Sequence, residues 1–592
     1  MKKILSTLIL AALTLVGCES VSSESKDTAD SRSQQLQLFE DGNYAMFMHF
    51  GLYSKLEGVW KGKTYRGNAE WIMNGNQAGI PYEEYMAEAD TFNPCEFDAD
   101  AIAQMAKDAG MKYIVITSKH HEGYAMFGSD ACDFNIRDCS AVKRDLIGEL
   151  AAACHEKGIG IGFYYSQFQD WTAPGGGGGG PETDANGRKV TFDEYFRTKC
   201  VPQVNEITTK YGDIELIWFD TPGDMDIKYS KELVDLVHKN QPGCLVSSRV
   251  GNGMGDYETY GDMEIPVANI DGLWEGIDVM QVGWGFSVED AEWKSPEYVL
   301  RNLLSTVARG GTFMMNVGPD HLGRIPEPAK ESLLKAGEWI KRYPMAVYAA
   351  EPSPWGHALQ WGEAVAHGDK LYLLVNDWPS DGTLEVPGIR NGIGSVRICG
   401  GKRLKFHKDG CITTIHVPGL APDSPYSVIE ICLKGQPDID RTFVALDGYS
   451  TEIQTAFAEA KGCLNGKIGW MPRFGEWNTK WGTSNMETGS ELTWTIEIPH
   501  EGYYDFDVEM RGNGRVDFTV STDEGRTITN YQPLYNKFSW SRAGWIQFEK
   551  PGKHTVTVTF PGDIPEDLNI GGLRVTPITG CVHFREHGQG HS

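Results

Sequence analysis

Histidines, aromatic rings and carboxylates close a series of apolar runs in the first half of the chain. His49 falls within Tyr44–Phe50. Lys119, His120, His121 and Glu122 follow Tyr113–Thr117. Tyr164, Tyr165 and Gln167 end the run from Ile159. Trp218 and Asp220 end the run from Ile214, and Arg249 follows Cys244–Ser248. Brought from successive strand ends to one face, these groups would form a polar pocket with aromatic walls. His120 and His121 are adjacent, so their side chains are expected to point in different directions, and a metal ion shared with His49 is disfavoured. No GxSxG elbow is present, and Gly175–Gly180 lacks the Lys-Ser/Thr that phosphate cradling requires. Carboxylates remain. Asp220, leaving a strand beside an aromatic wall, suits a nucleophile held at an anomeric carbon. It also reads as the opening residue of the turn Thr221-Pro222-Gly223, where Asp is common. Glycoside hydrolysis needs a second carboxyl group as general acid/base, about 5–5.5 Å away in retaining enzymes. Glu258, Glu264 and Glu275 lie downstream in the loop-rich stretch Gly251–Phe286, and spacing does not choose among them.

The elements that would position these residues alternate in kind. Asp98 reads as an N-cap, with Ile102, Met105 and Ala106 at helical spacing and Gly110 as a stop. Leu146–Lys157 reads as a helix ended by Gly158, Phe192–Tyr211 as another and Ser230–Asn240 as a third. Apolar strands between helices predict a parallel sheet covered by helices. A span of about 300 residues favours a closed (β/α)8-like barrel over an open sheet. After Tyr343-Pro344 the pattern becomes short β runs, such as Lys370–Val375 and Tyr426–Ile431, then Leu492–Ile498, Tyr503–Val508 and His554–Phe560. The fold class is therefore α/β: a (β/α)8-like barrel over residues 36–345, followed by two β-sandwich domains over 346–435 and 436–592. Gly175–Gly180 reads as a mobile loop.

The chain has 592 residues and a formal net charge of −27, so a nucleic-acid partner is disfavoured and neutral ligands are not. Seventeen Trp, with 24 Tyr and 24 Phe, suit sugar stacking as well as large β-rich cores. Residues 1–17 read as an export signal: Lys2 and Lys3, an apolar stretch from Ile4 to Val16, then Leu15-Val16-Gly17-Cys18. This pattern resembles bacterial lipoprotein signals, which implies cleavage before Cys18 and lipid attachment to its thiol. Residues 18–35 would be the lipidated Cys and a polar tether. The expectation is an exported lipoprotein, periplasmic or on the outer-membrane surface. The other cysteines show no CxxC or zinc spacing; Cys132 and Cys139 are close enough to pair.

Several segments, in order, resemble the retaining α-L-fucosidase family of glycoside hydrolases. They are Phe47-Met48-His49-Phe50-Gly51-Leu52-Tyr53-Ser54, Ala69-Glu70-Trp71, Ser118-Lys119-His120-His121-Glu122-Gly123-Tyr124, Ile217-Trp218-Phe219-Asp220, Trp274-Glu275, Trp284-Gly285-Phe286 and Asn316-Val317-Gly318-Pro319. The resemblance covers residues 36–435. It implies that Asp220 is the nucleophile and forms a fucosyl-enzyme. It implies that His49, Glu70, Trp71, His120, His121, Tyr165, Trp218, Arg249, Trp284 and Phe286 line the sugar site, and that no cofactor is needed. A pocket of this mixed character suits fucose, a neutral deoxy sugar with an apolar methyl group.

The acid/base departs from the family pattern. Some members carry it in a Thr-X-Glu segment, which here reads Thr259-Tyr260-Gly261. Others use the Glu of the Trp-Glu pair, here Glu275, and Glu264 is close enough in sequence to substitute. Two rivals stay open: a hydrolase of a related sugar such as an α-L-galactoside, and a glycan-binding surface lipoprotein with a dead barrel. The segment 436–592 resembles a carbohydrate-binding sandwich, with Trp470, Trp477, Trp481, Trp540 and Trp545 available to stack on sugar or to fill a core.

Overall fold

A computed structural model describes residues 34–578, apart from residue 291 and residues 471–477. The export signal with Cys18, most of the tether, Trp477 and residues 579–592 lie outside the described residues. Eight strands form one parallel sheet: β1 (Tyr44–Met48), β2 (Tyr113–Lys119), β3 (Gly160–Tyr165), β4 (Leu216–Phe219), β5 (Leu245–Val246), β6 (Glu258–Asp262), β7 (Trp274–Val279) and β8 (Thr312–Val317). Their order in the sheet is β5-β4-β3-β2-β1-β8-β7-β6. A parallel bridge between Ser247 and Tyr257 links the two edges and closes the barrel.

The strands are apolar on both faces because both faces are covered. Ala45 and Phe47 of β1, Tyr113 and Val115 of β2, Tyr164 of β3 and Trp218 of β4 pack together inside the barrel. The alternate residues Met46, Met48, Ile114, Ile116, Phe163, Tyr165, Ile217 and Phe219 pack outward in the larger core shared with the helices. This period of two decides which strand residues reach the site.

The helices follow their local signals. Asp98 accepts from Ala101 N at 3.0 Å and caps α1 (Ala99–Asp108). Asp145 caps α2 (Leu146–Lys157), which stops at Gly158 in the left-handed region, φ 67°. The helix predicted over 192–211 forms without a gap over 192–207 and carries a bulge: an α turn at Phe192–Tyr195 runs into a widened π turn at Phe196–Cys200 and then α3 (Val201–Ile207). Pro202 has no N–H for the preceding turn, which accounts for the widening. The π turn brings Lys199 inward, where its Nζ lies 2.8 Å from Asp170 Oδ2.

The glycine run is folded onto its surroundings rather than projecting as a free loop. Gly177 N donates to Phe168 O at 2.9 Å. A Cβ at Gly176 would meet Asp170 O at 2.4 Å, and one at Gly177 the Phe168 ring at 2.6 Å. Only glycine permits that approach.

Two antiparallel sheets, of four and three strands, follow between Gly362 and Leu433. The buried pair Arg309–Glu363 (2.8 Å) and the bond from Trp339 Nε1 to Tyr426 O (3.0 Å) fix them to the barrel. A second pair of sheets, of six and four strands, extends from Phe443 to Pro577, with the hairpin Leu464–Trp470/Asn478–Ser484 beside them. Its core is built around Trp494, whereas Trp545 stands 56% exposed against Tyr503. Cys132 and Cys139 are both free thiols.

Candidate active site

A cavity of about 360 Å³ opens at the carboxyl ends of the barrel strands. It is lined by Phe47, His49, Glu70, Trp71, His120, His121, Trp218, Asp220, Arg249, Asp262 and Trp284, together with Asn68, Asn76 and Thr221. Nine of these are residues that the sequence singles out: His49, Glu70, Trp71, His120, His121, Trp218, Asp220, Arg249 and Trp284.

Asp220 follows β4 and is held from three sides. Tyr164 Oη donates to its Oδ2 at 2.8 Å, His121 Nε2 lies 3.4 Å from the same oxygen, and Arg249 Nη1 donates to Oδ1 at 3.1 Å. Its backbone N–H donates to Gln167 Oε1 at 2.9 Å. Burial alone would raise the carboxyl's pKa, but the His121 contact, the Arg249 charge and the Tyr164 hydroxyl outweigh it and hold Asp220 well below the usual carboxylate range. The next residue, Thr221, has φ 44°, an uncommon conformation for a β-branched side chain. Strain of this kind collects at sites where the surroundings impose a turn.

Burial sets the state of two of the imidazoles. His49 Nδ1 is 2.7 Å from Asn316 Oδ1, and burial lowers its pKa to about 4. Burial, then His121 and His49, push His120 well below its ordinary value. Both rings are therefore neutral at pH 7, suited to sharing hydrogen bonds with sugar hydroxyls. His121 Nδ1 meets Ser166 Oγ at 2.6 Å, and its backbone carbonyl accepts from Trp171 N at 2.9 Å. Behind this loop, Lys119 and Lys199 clamp Asp170 at 3.0 and 2.8 Å. Glu70 Oε2 accepts from Gly285 N at 2.8 Å, and burial raises its pKa to about 7. Trp71 packs edge-on to both His121 and Trp171, at 5.3 and 5.0 Å.

Residues 14–344 match the family model described as alpha-L-fucosidase. The chain belongs to the α-L-fucosidase family. It is 29% identical to an α-L-fucosidase of Branchiostoma floridae over 59% of this chain and 81% of that one. It is 26% identical to the tissue α-L-fucosidase of Rattus norvegicus, over 59% and 78%. The crystal structure of an α-L-fucosidase from Vibrio sp. strain EJY3 superposes with a TM-score of 0.77 at 28% identity, covering 92% of this chain and 98% of that one. Isoenzyme 1 of Paenibacillus thiaminolyticus gives 0.61 at 30%, covering 68% and 100%. The α-L-fucosidase resemblance in the sequence is therefore a family relationship, and the chain is a glycoside hydrolase by descent.

Four of the expected site residues lie elsewhere. Tyr165 faces outward from β3, where its hydroxyl donates to Gln203 Oε1 at 2.9 Å; strand alternation gives the inward place to Tyr164. Phe286 is not part of the cavity wall and stacks on Trp293 at 6.4 Å between centroids. Glu275 points into the barrel, but it is the second residue of β7 and lies at the buried end, beneath Trp218. Its Oε1 accepts from Trp218 Nε1 at 2.8 Å, and it does not line the cavity. Glu264 lies in a neighbouring cavity, with its Oε2 2.8 Å from Lys467 Nζ.

A second carboxylate beside Asp220 is supplied in this cavity by Asp262, which sequence reading missed. Arg249 Nη2 donates to Asp262 Oδ1, so one guanidinium touches both Asp220 and Asp262. The signal was a β-bulge. Thr259 pairs with Glu275 and Asp262 with Ile277, three positions on β6 against two on β7. The extra residue carries Asp262 into the register that Gly261 would otherwise occupy. Like Asp220, Asp262 is followed by a residue in the left-handed region, Met263 at φ 58°.

Proposed function

We propose that the protein is an exo-acting α-L-fucosidase that works by double displacement with retention. Asp220 is the nucleophile and Asp262 the general acid/base. The observation that carries this reading is Arg249 bridging the two carboxylates. A shared guanidinium keeps them close, which favours the spacing of retaining enzymes, about 5–5.5 Å, over the roughly 6.5–9.5 Å of inverting ones.

In the first step Asp220 attacks the anomeric carbon from the face opposite the leaving group. Arg249 engages Oδ1 of Asp262, which leaves Oδ2 to deliver a proton to the departing oxygen. A β-fucosyl ester on Asp220 results. In the second step Asp262 takes a proton from water, the water attacks the same carbon, and α-L-fucose leaves. His49, His120, His121 and Glu70 meet the ring hydroxyls. Trp71, Trp218, Trp284 and Phe47 pack on the apolar faces of the sugar. The short lipoprotein box at Leu15–Cys18 supports anchoring of this enzyme to a bacterial membrane by a lipid on Cys18.

The test is turnover of 4-nitrophenyl α-L-fucoside with azide added to two variants. In Asp262→Ala, azide should restore the rate and give the α-fucosyl azide, the product of a second displacement. In Asp220→Ala, rescue should give the β-fucosyl azide. An α-fucosyl azide from neither variant, or no turnover by the unaltered chain, would overturn the assignment.

A further inference from the structure

A second cavity, of about 340 Å³, adjoins the first and shares Asp262 with it. Its walls come from the end of β6 and the segment after it (Tyr260 to Val267), from Gln454, and from the hairpin of the second sandwich, including Lys467, Thr479, Lys480 and Trp481. We infer that this cavity is a subsite for the leaving group, and that it takes a neutral saccharide joined to the fucose. The inference rests on the fucosidase reading above and extends it to the rest of the substrate.

Three observations carry it. First, position: Asp262 stands on both cavities, and the group that protonates the glycosidic oxygen must lie between the sugar being cleaved and the sugar that leaves. Second, the cavity is built before substrate arrives. Lys467 Nζ lies 3.4 Å from the centroid of the Tyr260 ring and 2.8 Å from Glu264 Oε2. Glu264 folds back so closely that a Cβ on Gly261 would meet its carboxyl at 2.2 Å. Trp481 is pinned through Nε1 to Asn465 Oδ1 at 3.1 Å. A preformed site spares the ordering cost of binding. Third, charge: Lys467 is paired with Glu264, Lys480 with Glu509 at 2.5 Å, and Asp262 with Arg249. With each charge already paired, the walls offer amide, hydroxyl and indole groups, which suit neutral hydroxyls over sulfates or carboxylates. The second sandwich therefore acts through the fucosidase site as a specificity element.

The experiment compares two substrates in the full mature chain. One is 4-nitrophenyl α-L-fucoside, whose leaving group is small and activated. The other is a neutral fucosylated trisaccharide. Lys467→Ala and Thr479→Arg are the variants; the second fills the cavity from an exposed position without removing a core side chain. Each should lower kcat/KM for the trisaccharide by about 10-fold or more, mainly through KM, and leave the aryl fucoside within about 2-fold. A sulfated form of the trisaccharide should be the poorer substrate for the unaltered chain. Equal losses on both substrates, no loss on either, or preference for the sulfated form would overturn the inference. Failure of the unaltered chain on the aryl fucoside would instead bring down the fucosidase reading itself.

Discussion

Trp218 donates its indole hydrogen to Glu275 Oε1 at 2.8 Å, beneath the cavity rather than within it. Arg249 lies over the same indole, 4.7 Å from its centroid, and Tyr164 stacks on it at 5.5 Å. Glu275 thus supports the tryptophan floor on which Arg249 and Tyr164, two of the groups holding Asp220, rest. Burial raises its pKa from 4.5 to about 8, against the smaller opposing effects of Trp218 and Arg249.

That shift predicts a pH dependence. Below about 4.5 both folded and unfolded chains carry the Glu275 proton, and its contribution to stability is fully present. Between 4.5 and 8 the unfolded chain gives up the proton while the folded chain keeps it, so stability falls as pH rises and the loss is complete above 8. Glu275→Gln preserves an acceptor for Trp218 without the titration. The variant should melt close to the parent at about pH 5 and above it at about pH 8. It should keep kcat within about 10-fold, where loss of a general acid/base costs about 10²–10⁴-fold. Parallel melting curves across that range, or loss of turnover on the scale of an acid/base deletion, would contradict this role.

Adjacent tyrosines on β3 should separate cleanly. Tyr164→Phe removes a hydrogen bond to the ionised Asp220, a loss of about 1.5–3 kcal/mol that should appear in kcat/KM as roughly a 10–100-fold drop. Tyr165→Phe removes the hydroxyl that bonds Gln203 on α3 and the Cys200 thiol, both on the other side of the strand from the cavity. Its kcat/KM should stay within about 2-fold, with stability reduced by about 1 kcal/mol. Steady-state kinetics and denaturant unfolding of the pair decide the matter; the reverse pattern would mean that β3 is flipped by one residue.

The same pair shows what was legible in the sequence and what was not. The alternation of βα units, the helix caps at Asp98 and Gly158 and the polar residues at strand ends could all be read directly, because each is a local pattern. Which of Tyr164 and Tyr165 faces inward depends on strand register, which an apolar run covered on both faces does not reveal. Asp262 was hidden by a bulge, a non-local feature that appears only when β6 is paired with β7. Glu275 was misplaced because a Trp-Glu pair does not say at which end of its strand it sits. The hairpin that brings Lys467 to Glu264 joins residues 203 positions apart, beyond any local signal.

Arg249 offers the sharpest test of the two-carboxylate arrangement. Its Nη1 serves Asp220 and its Nη2 serves Asp262, a geometry available to a planar fork and not to a single ammonium. Arg249→Lys keeps the positive charge, so Asp220 remains stabilised in part, but the link to Asp262 is lost. The variant should lose about 10–100-fold in kcat, with a smaller change in KM, because the misplaced groups act in the transition state. Asp262→Asn should remove most of the advantage that an arginine holds over a lysine at this position. The double variant Arg249→Lys/Asp262→Asn should therefore be only slightly slower than Asp262→Asn alone. Independent, multiplying losses in the double variant would show that Arg249 serves Asp220 alone and that the bridge plays no part in the chemistry.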